Sequence, residues 1–180
     1  TNADYAYITL PCMTKEQTAS YAASPDATVL CNTASVQAVK DKSTATTGYV
    51  FWEAGSYNGI TSDNACTLIV NEDGGMMSMA VSDPTHKLNT ITLTLKNSIA
   101  VPAEIPENVS FEIKNGNTVI TVDTSDNSGK SHEFSYYTAS ADYEADKPYV
   151  KSIALNAANG SASADFVVLN PSSDLKMVNL

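Results

Sequence analysis

Apolar and polar residues alternate in short bursts along most of this chain, the period-two signature of strands with one buried face. Thr90-Ile91-Thr92-Leu93-Thr94-Leu95 is the clearest case, with Ile91, Leu93 and Leu95 predicted on a core face and the threonines on the other. Gly48-Tyr49-Val50-Phe51-Trp52 is aromatic and rich in strand formers. Val29-Leu30-Cys31 and Val36-Gln37-Ala38-Val39 flank the turn-like pair Asn32-Thr33. Residues 66–70 and 76–81 enclose Asn71-Glu72-Asp73-Gly74-Gly75, whose Asp-Gly step supplies the positive φ of a hairpin turn. Residues 109–113 and 118–122 bracket Asn115-Gly116, a second strong hairpin signal. A polar turn over 125–130 leads into His132-Glu133-Phe134-Ser135-Tyr136-Tyr137, read as a closing strand. Short strands at this spacing predict an all-β fold, an antiparallel β-sandwich.

One segment breaks the period. Thr14-Lys15-Glu16-Gln17 is a capping box, Thr14 as N-cap and Gln17 at N3, and Ser24-Pro25-Asp26 stops the helix-compatible run that follows. The pattern therefore predicts one short helix near the N-terminus, within residues 14–24. Ahead of it, Tyr5-Ala6-Tyr7-Ile8-Thr9-Leu10 reads as a strand. Pro102 and Pro106 mark residues 100–106 as a connection. Residues 138–147 read as an acidic linker, and 150–155, 164–169 and 175–180 as three strands of part of a further β module, broken by Asn159-Gly160 and Pro171. Because the chain opens and closes on apolar runs, it is expected to be a fragment excised from a longer protein.

Composition narrows the function. Of 180 residues 43% are apolar and 17% charged, the balance of an ordered globular protein. All ten cationic side chains are lysine, against twenty acidic ones, for a formal net charge of -10. Such a surface repels nucleic acid, anionic membranes and polyanionic glycans, so nucleic acid is excluded as a partner. No run approaches the roughly 20 apolar residues of a membrane-spanning helix. Cys12, Cys31 and Cys66 lack metal or redox spacing, so no metal site is expected. They read as buried thiols, or else as one disulfide with a thiol left over.

A series of short words, taken in order, carries a resemblance. Asp4-Tyr5-Ala6-Tyr7 and Leu10-Pro11 precede Thr14-Lys15-Glu16-Gln17-Thr18; Asn32-Thr33 and Val36-Gln37-Ala38-Val39 follow. Gly48, Phe51-Trp52 and Gly55 come next, then Ala80-Val81-Ser82-Asp83-Pro84-Thr85. Over residues 4–96, and more faintly to about 137, the chain resembles the C-terminal part of the bacterial hyaluronate, chondroitin and xanthan lyases. The resemblance implies that residues 1–26 end a central β-sandwich region, that 27–137 form a C-terminal β-sandwich domain, and that 138–180 lie beyond it. It also implies a secreted or cell-surface protein whose catalytic Asn, His, Tyr and Arg lie in a helical toroid outside this sequence. The partners implied are the catalytic and central domains of that parent, with polysaccharide met only indirectly and no cofactor needed.

The residues themselves hold few candidates for chemistry, and no catalytic residue is assigned. His86, in the turn Asp83-Pro84-Thr85-His86-Lys87, and His132, opening a strand, belong to no nucleophile or metal motif and read as solvated turn or edge positions. Without arginine, a guanidinium clamp on a uronate carboxylate is out of reach. Asp123, Asp126 and Asn127 before Gly129 depart from the helix–loop–helix calcium spacing and read as turn residues. Three residues are candidates for touching carbohydrate: Tyr57 and Asn58 in a loop from Gly55 to Gly59, and Trp52, although its setting in Tyr49-Val50-Phe51-Trp52 reads as a core position. Two classes of function follow, a structural domain bracing a lyase or a carbohydrate-binding or cell-surface module with its own sugar affinity. A row of exposed aromatics would favour the second.

Overall fold

The computed structural model describes residues 5–125, 129–139, 149–158, 161–169 and 176–179. One helix, α1 (Lys15–Ala23), precedes the strands β1 (Ala27–Asn32), β2 (Val36–Asp41), β3 (Thr46–Phe51), β4 (Gly55–Tyr57), β5 (Ile60–Ser62) and β6 (Cys66–Asp73). Then come β7 (Met76–Ser82), β8 (Thr90–Leu95), β9 (Ile99–Glu104), β10 (Val109–Lys114), β11 (Asn117–Asp123) and β12 (His132–Ala139). A seven-stranded sheet runs β1-β2-β3-β6-β7-β12-β9, and a five-stranded sheet runs β10-β11-β8-β5-β4. Neighbours in both sheets are antiparallel. Separately, β13 (Tyr149–Ala158), β14 (Ser161–Leu169) and β15 (Lys176–Asn179) form a three-stranded antiparallel sheet.

The two large sheets share one hydrophobic core, which makes them a sandwich. Phe51, Leu68 and Val81 come from the larger sheet and meet Ile91, Leu93, Ile120 and Val122 from the smaller one. The alternation that predicted Ile91, Leu93 and Leu95 as inward-facing is what the backbone pleat delivers, for all three are buried. Thr118 is one of the polar residues buried here: its hydroxyl takes the Ala100 N–H and donates to the Ser98 carbonyl, both at 2.8 Å, so no buried dipole is left unpaired there. Both predicted hairpins form. Asn115 and Gly116 have φ of 52° and 75°, and Gly74 and Gly75 have 56° and 84°, the left-handed pairs that two-residue hairpin turns require.

The helix forms where the capping box placed it. Gln17 N donates to Thr14 Oγ1 at 3.2 Å while Thr14 N donates to Gln17 Oε1 at 2.8 Å, and none of its residues is buried.

Several expectations need correction. Tyr5 to Leu10 is no strand; its side chains are almost all exposed, and among the described residues no strand pairs with it. Residues 100–106 are not merely a connection, because β9 occupies most of them. Pro102 is tolerated there because β9 lies at the sheet's edge, where its register against β12 shifts between Ser135 and Tyr136. The stretch read as a linker from residue 138 begins inside β12, and residues 140–148 lie outside the described residues, as do Asn159-Gly160 and Pro171. Cys66 is buried as expected, whereas Cys31 is half-buried and Cys12 exposed, and all three are free thiols.

Candidate functional site

Trp52 stands where the core reading of its neighbours did not put it. Tyr49 and Phe51 point inward, so strict alternation sends Trp52 to the opposite face of the seven-stranded sheet, where it is 59% exposed. Its backbone N–H donates to the Ser35 carbonyl at 2.9 Å. Its indole Nε1 donates to Gln37 Oε1 at 3.3 Å, and Gln37 Nε2 donates in turn to Asn32 Oδ1 at 3.0 Å. An exposed indole is thereby held in one orientation by a relay of two amides. Neither amide stood out as a site residue in the sequence, although the same period-two count that turns Trp52 outward also turns Gln37 outward, between buried Val36 and Ala38.

Tyr57 and Asn58 are placed differently. The expected loop from Gly55 to Gly59 is a tight hairpin of β4 and β5, with Asn58 and Gly59 at φ 50° and 78°. Tyr57 is half-buried, packs against the core and donates its hydroxyl to the Leu30 carbonyl at 2.7 Å, tying the small sheet to β1. Asn58 is exposed at the turn. Trp52, just past the end of β3 in the other sheet, makes its side-chain hydrogen bond to Gln37 and not to either of them.

The titratable residues serve the fold. His86 is an exposed turn residue, but its ring lies against Gly129, where any Cβ would collide with it. His132 corrects the solvated-edge reading: it is buried, with Asn108 Nδ2 against its Nδ1. Burial first, and then the Lys130 charge, lower its pKa below the usual histidine value, against the opposing pull of Asp123. A base held neutral by folding contributes stability that is complete above its unfolded pKa of about 6.5 and is lost as pH falls through the lower folded value. The urea midpoint of the chain is therefore expected to fall between pH 7.5 and 5, and His132→Gln should flatten that decline; an undiminished slope in the variant would assign it elsewhere. Burial pushes the Cys66 thiol up to about 11, so it is protonated at neutral pH and unreactive. Asp123 accepts from Ser125 N and Oγ at 2.9 and 2.6 Å, ordinary turn chemistry, and Asp126 and Asn127 lie outside the described residues. Among the described residues no cluster of His, Cys, Asp and Glu converges to hold a metal ion, and no helix is long and apolar enough to cross a membrane.

A second surface adjoins the Trp52 relay on the same outer face, sharing Asn32 and Gln37 with it and taking in Val39 as well. Tyr5 and Tyr7, 82% and 83% exposed, have nearly parallel rings with centroids 6.4 Å apart. With Ile8 they overhang a groove of about 450 Å³ whose apolar walls include Tyr21, Pro25, Val29 and Val39.

Comparison with known proteins agrees with this architecture. Residues 28–92 match the model of the polysaccharide lyase family 8 C-terminal β-sandwich domain. A hyaluronate lyase, HylB, of Enterococcus faecalis is 30% identical over 114 residues, covering 62% of this chain and 11% of that protein. A xanthan lyase of Bacillus sp. strain GL1 is 35% identical over 100 residues, covering 53% of this chain and 11% of its own length. In three dimensions the chain is similar to a Paenibacillus xanthan lyase, with a TM-score of 0.65 at 23% identity, over 87% of this chain and 17% of that one. The chain thus spans about a tenth of the length of the relatives it matches in sequence. The resemblance first carried by short words in the sequence thus reappears in the comparisons, with residues 28–92 similar to the C-terminal β-sandwich domain of polysaccharide lyase family 8.

Proposed function

We propose that this chain is a non-catalytic C-terminal part of a secreted bacterial polysaccharide lyase, and that it braces the parts that do the chemistry. The match of residues 28–92 to a C-terminal sandwich domain, with the aligned stretch covering 11% of the hyaluronate lyase it resembles, carries this reading. In it, residues 1–26 end the central region, 27–137 form the C-terminal domain and 138–180 begin a further module. The parent would act by β-elimination on a uronic-acid-containing polysaccharide. A base takes the C5 proton, the electron pair closes a C4–C5 double bond, and the glycosidic oxygen leaves C4 with a proton from an acid. That step needs the uronate carboxylate neutralised, and the present sequence has no arginine to clamp it. In this reading the catalytic groups belong, as the resemblance to the lyases implies, to a helical domain elsewhere in the parent.

The exposed side chains of Tyr5, Tyr7 and Ile8 are assigned to an interface with the central domain of the same protein. Aromatic side chains this exposed favour an interface over solvent. Polymers of uronic acid lie outside the cell, which supports reading the parent as secreted or held at the cell surface. The test is direct: the 180-residue chain, incubated with hyaluronan, chondroitin or xanthan, should produce no ultraviolet absorbance from unsaturated uronate. Absorbance that rises in proportion to the protein added would refute the non-catalytic assignment.

A further inference from the structure

We infer that the outer face of the seven-stranded sheet, beginning at Trp52, is a binding site for an uncharged glycan chain. The face is built in rows. Asn32, Gln37, Val50, Thr67 and Ser82 are consecutive register partners across β1, β2, β3, β6 and β7, and all point away from the core. At a strand spacing of about 4.8 Å this row is about 19 Å long. Its two ends are prearranged by hydrogen bonds, Gln37 to Asn32 at 3.0 Å and Thr67 to Ser82 at 2.6 Å between their hydroxyls.

The parallel row beside it is apolar and low. Val39, Gly48, Ile69 and Ala80 are register partners, and at Gly48 there is nothing within 4 Å of where a Cβ would stand. From Gln37 to Ser82 and from Val39 to Ala80 the two rows line a groove of about 390 Å³, with the Gln37 amide and the Thr67 and Ser82 hydroxyls along one side and hydrocarbon along the other. Trp52, oriented by its bond to Gln37, stands beyond the Gln37 end of this groove.

That pattern matches a pyranose chain, which presents apolar C–H faces between rims of hydroxyls. The C–H face lies on the electron-rich indole face and the aliphatic floor. The hydroxyls exchange hydrogen bonds with amides that both donate and accept. Charge decides which glycans fit. The groove's lining has no ionisable group apart from the tyrosine phenol. The nearest charges in sequence and register are mixed, Glu53 after Trp52 and Glu133 opposite Ala80 against Lys40 after Val39 and Lys130 before Ser131, so the net charge of -10 sets the sign. A uronate-bearing or sulfated polymer would be repelled, and a neutral hexose chain would not.

Trp52 is the only tryptophan in the chain, so its fluorescence reports this site directly. The 180-residue chain is titrated at low salt with cellohexaose, mannohexaose and a hyaluronan hexasaccharide. A saturable shift in Trp52 emission is expected with at least one neutral oligomer, with Kd of about 1 mM or tighter, and none with the hyaluronan fragment. Calorimetry should show Trp52→Ala and Gln37→Ala each weakening binding about tenfold, with Trp52→Phe, which keeps a ring but loses the N–H, in between. These are surface positions, so circular dichroism of the variants should match the parent chain. Flat emission with both neutral oligomers up to about 10 mM overturns the inference. So does full binding by Trp52→Ala, a preference for the hyaluronan fragment, or an emission shift with protein concentration alone, which would make the face a protein interface. These outcomes are independent of lyase activity.

Discussion

Truncating Phe51 to alanine is expected to lower the unfolding free energy by about 3–5 kcal/mol, the range seen when a large aromatic is removed from a packed core. Phe51 is fully buried, sits beside Tyr49 with ring centroids 6.3 Å apart, and pairs in register with Val36 on one side and Cys66 on the other. Its neighbours are held by two sheets at once, so they cannot collapse into the space a phenyl ring leaves. Since small domains have only about 5–15 kcal/mol to lose, the variant should unfold at a much lower urea concentration with an unchanged slope. A midpoint close to that of the parent chain would mean that Phe51 is not the packing centre described.

Asp83→Ala should cost nearly as much, about 3 kcal/mol, for a polar reason. The carboxylate is buried at the end of β7 and accepts from Thr85 N and Oγ1, both at 2.7 Å, from Lys87 N at 2.7 Å and from Leu88 N at 2.8 Å. Removing it strands three backbone N–H groups. It also frees the loop that presses Leu88 onto the core. Burial by itself pushes this carboxyl up; the bonds from Leu88, Thr85 and Lys87 outweigh it and hold the pKa down to about 2. An acid whose folded pKa is depressed contributes stability that is complete above its unfolded value of about 3.9 and is lost as pH falls through the folded one. Stability should therefore decline between about pH 4 and 2, and Asp83→Asn should remove that part of the decline while being less stable at pH 7. Identical acid profiles for the two proteins would show that Asp83 does not govern it.

Asp83 also shows how the sequence encodes its fold. Ser82-Asp83-Pro84-Thr85 drew notice as a family word, and its physical content is a carboxylate that folds its own loop. The strands, hairpins and helix were legible because each rests on local chemistry: period-two alternation at Ile91, Leu93 and Leu95, Asn-Gly at a turn, Thr14 with Gln17 at a helix start. What was illegible depends on partners distant in sequence. Tyr5 to Leu10 has the pattern of a strand but no strand beside it among the described residues, and β9 carries a proline that only an edge position excuses. His132 is buried because Asn108, 24 residues away, covers it. Trp52 is the instructive case, since the signal was present. Its neighbours suggested core by composition, while counting alternate residues from Phe51 turns it outward and brings Gln37 under the indole.

The borders of the two sheets follow a common rule. The outermost strands are β1 and β9 of the larger sheet and β10 and β4 of the smaller. In β1 the register slips between Val29 and Cys31. Pro102 deprives β9 of a donor. β4 is three residues long, and β10 carries Glu112 and Lys114 as an exposed ion pair at 2.7 Å. Two copies meeting at these borders thus find a row that is broken, short or charged. Backbone irregularity and fixed charge guard the edges of these two sheets against cross-β pairing.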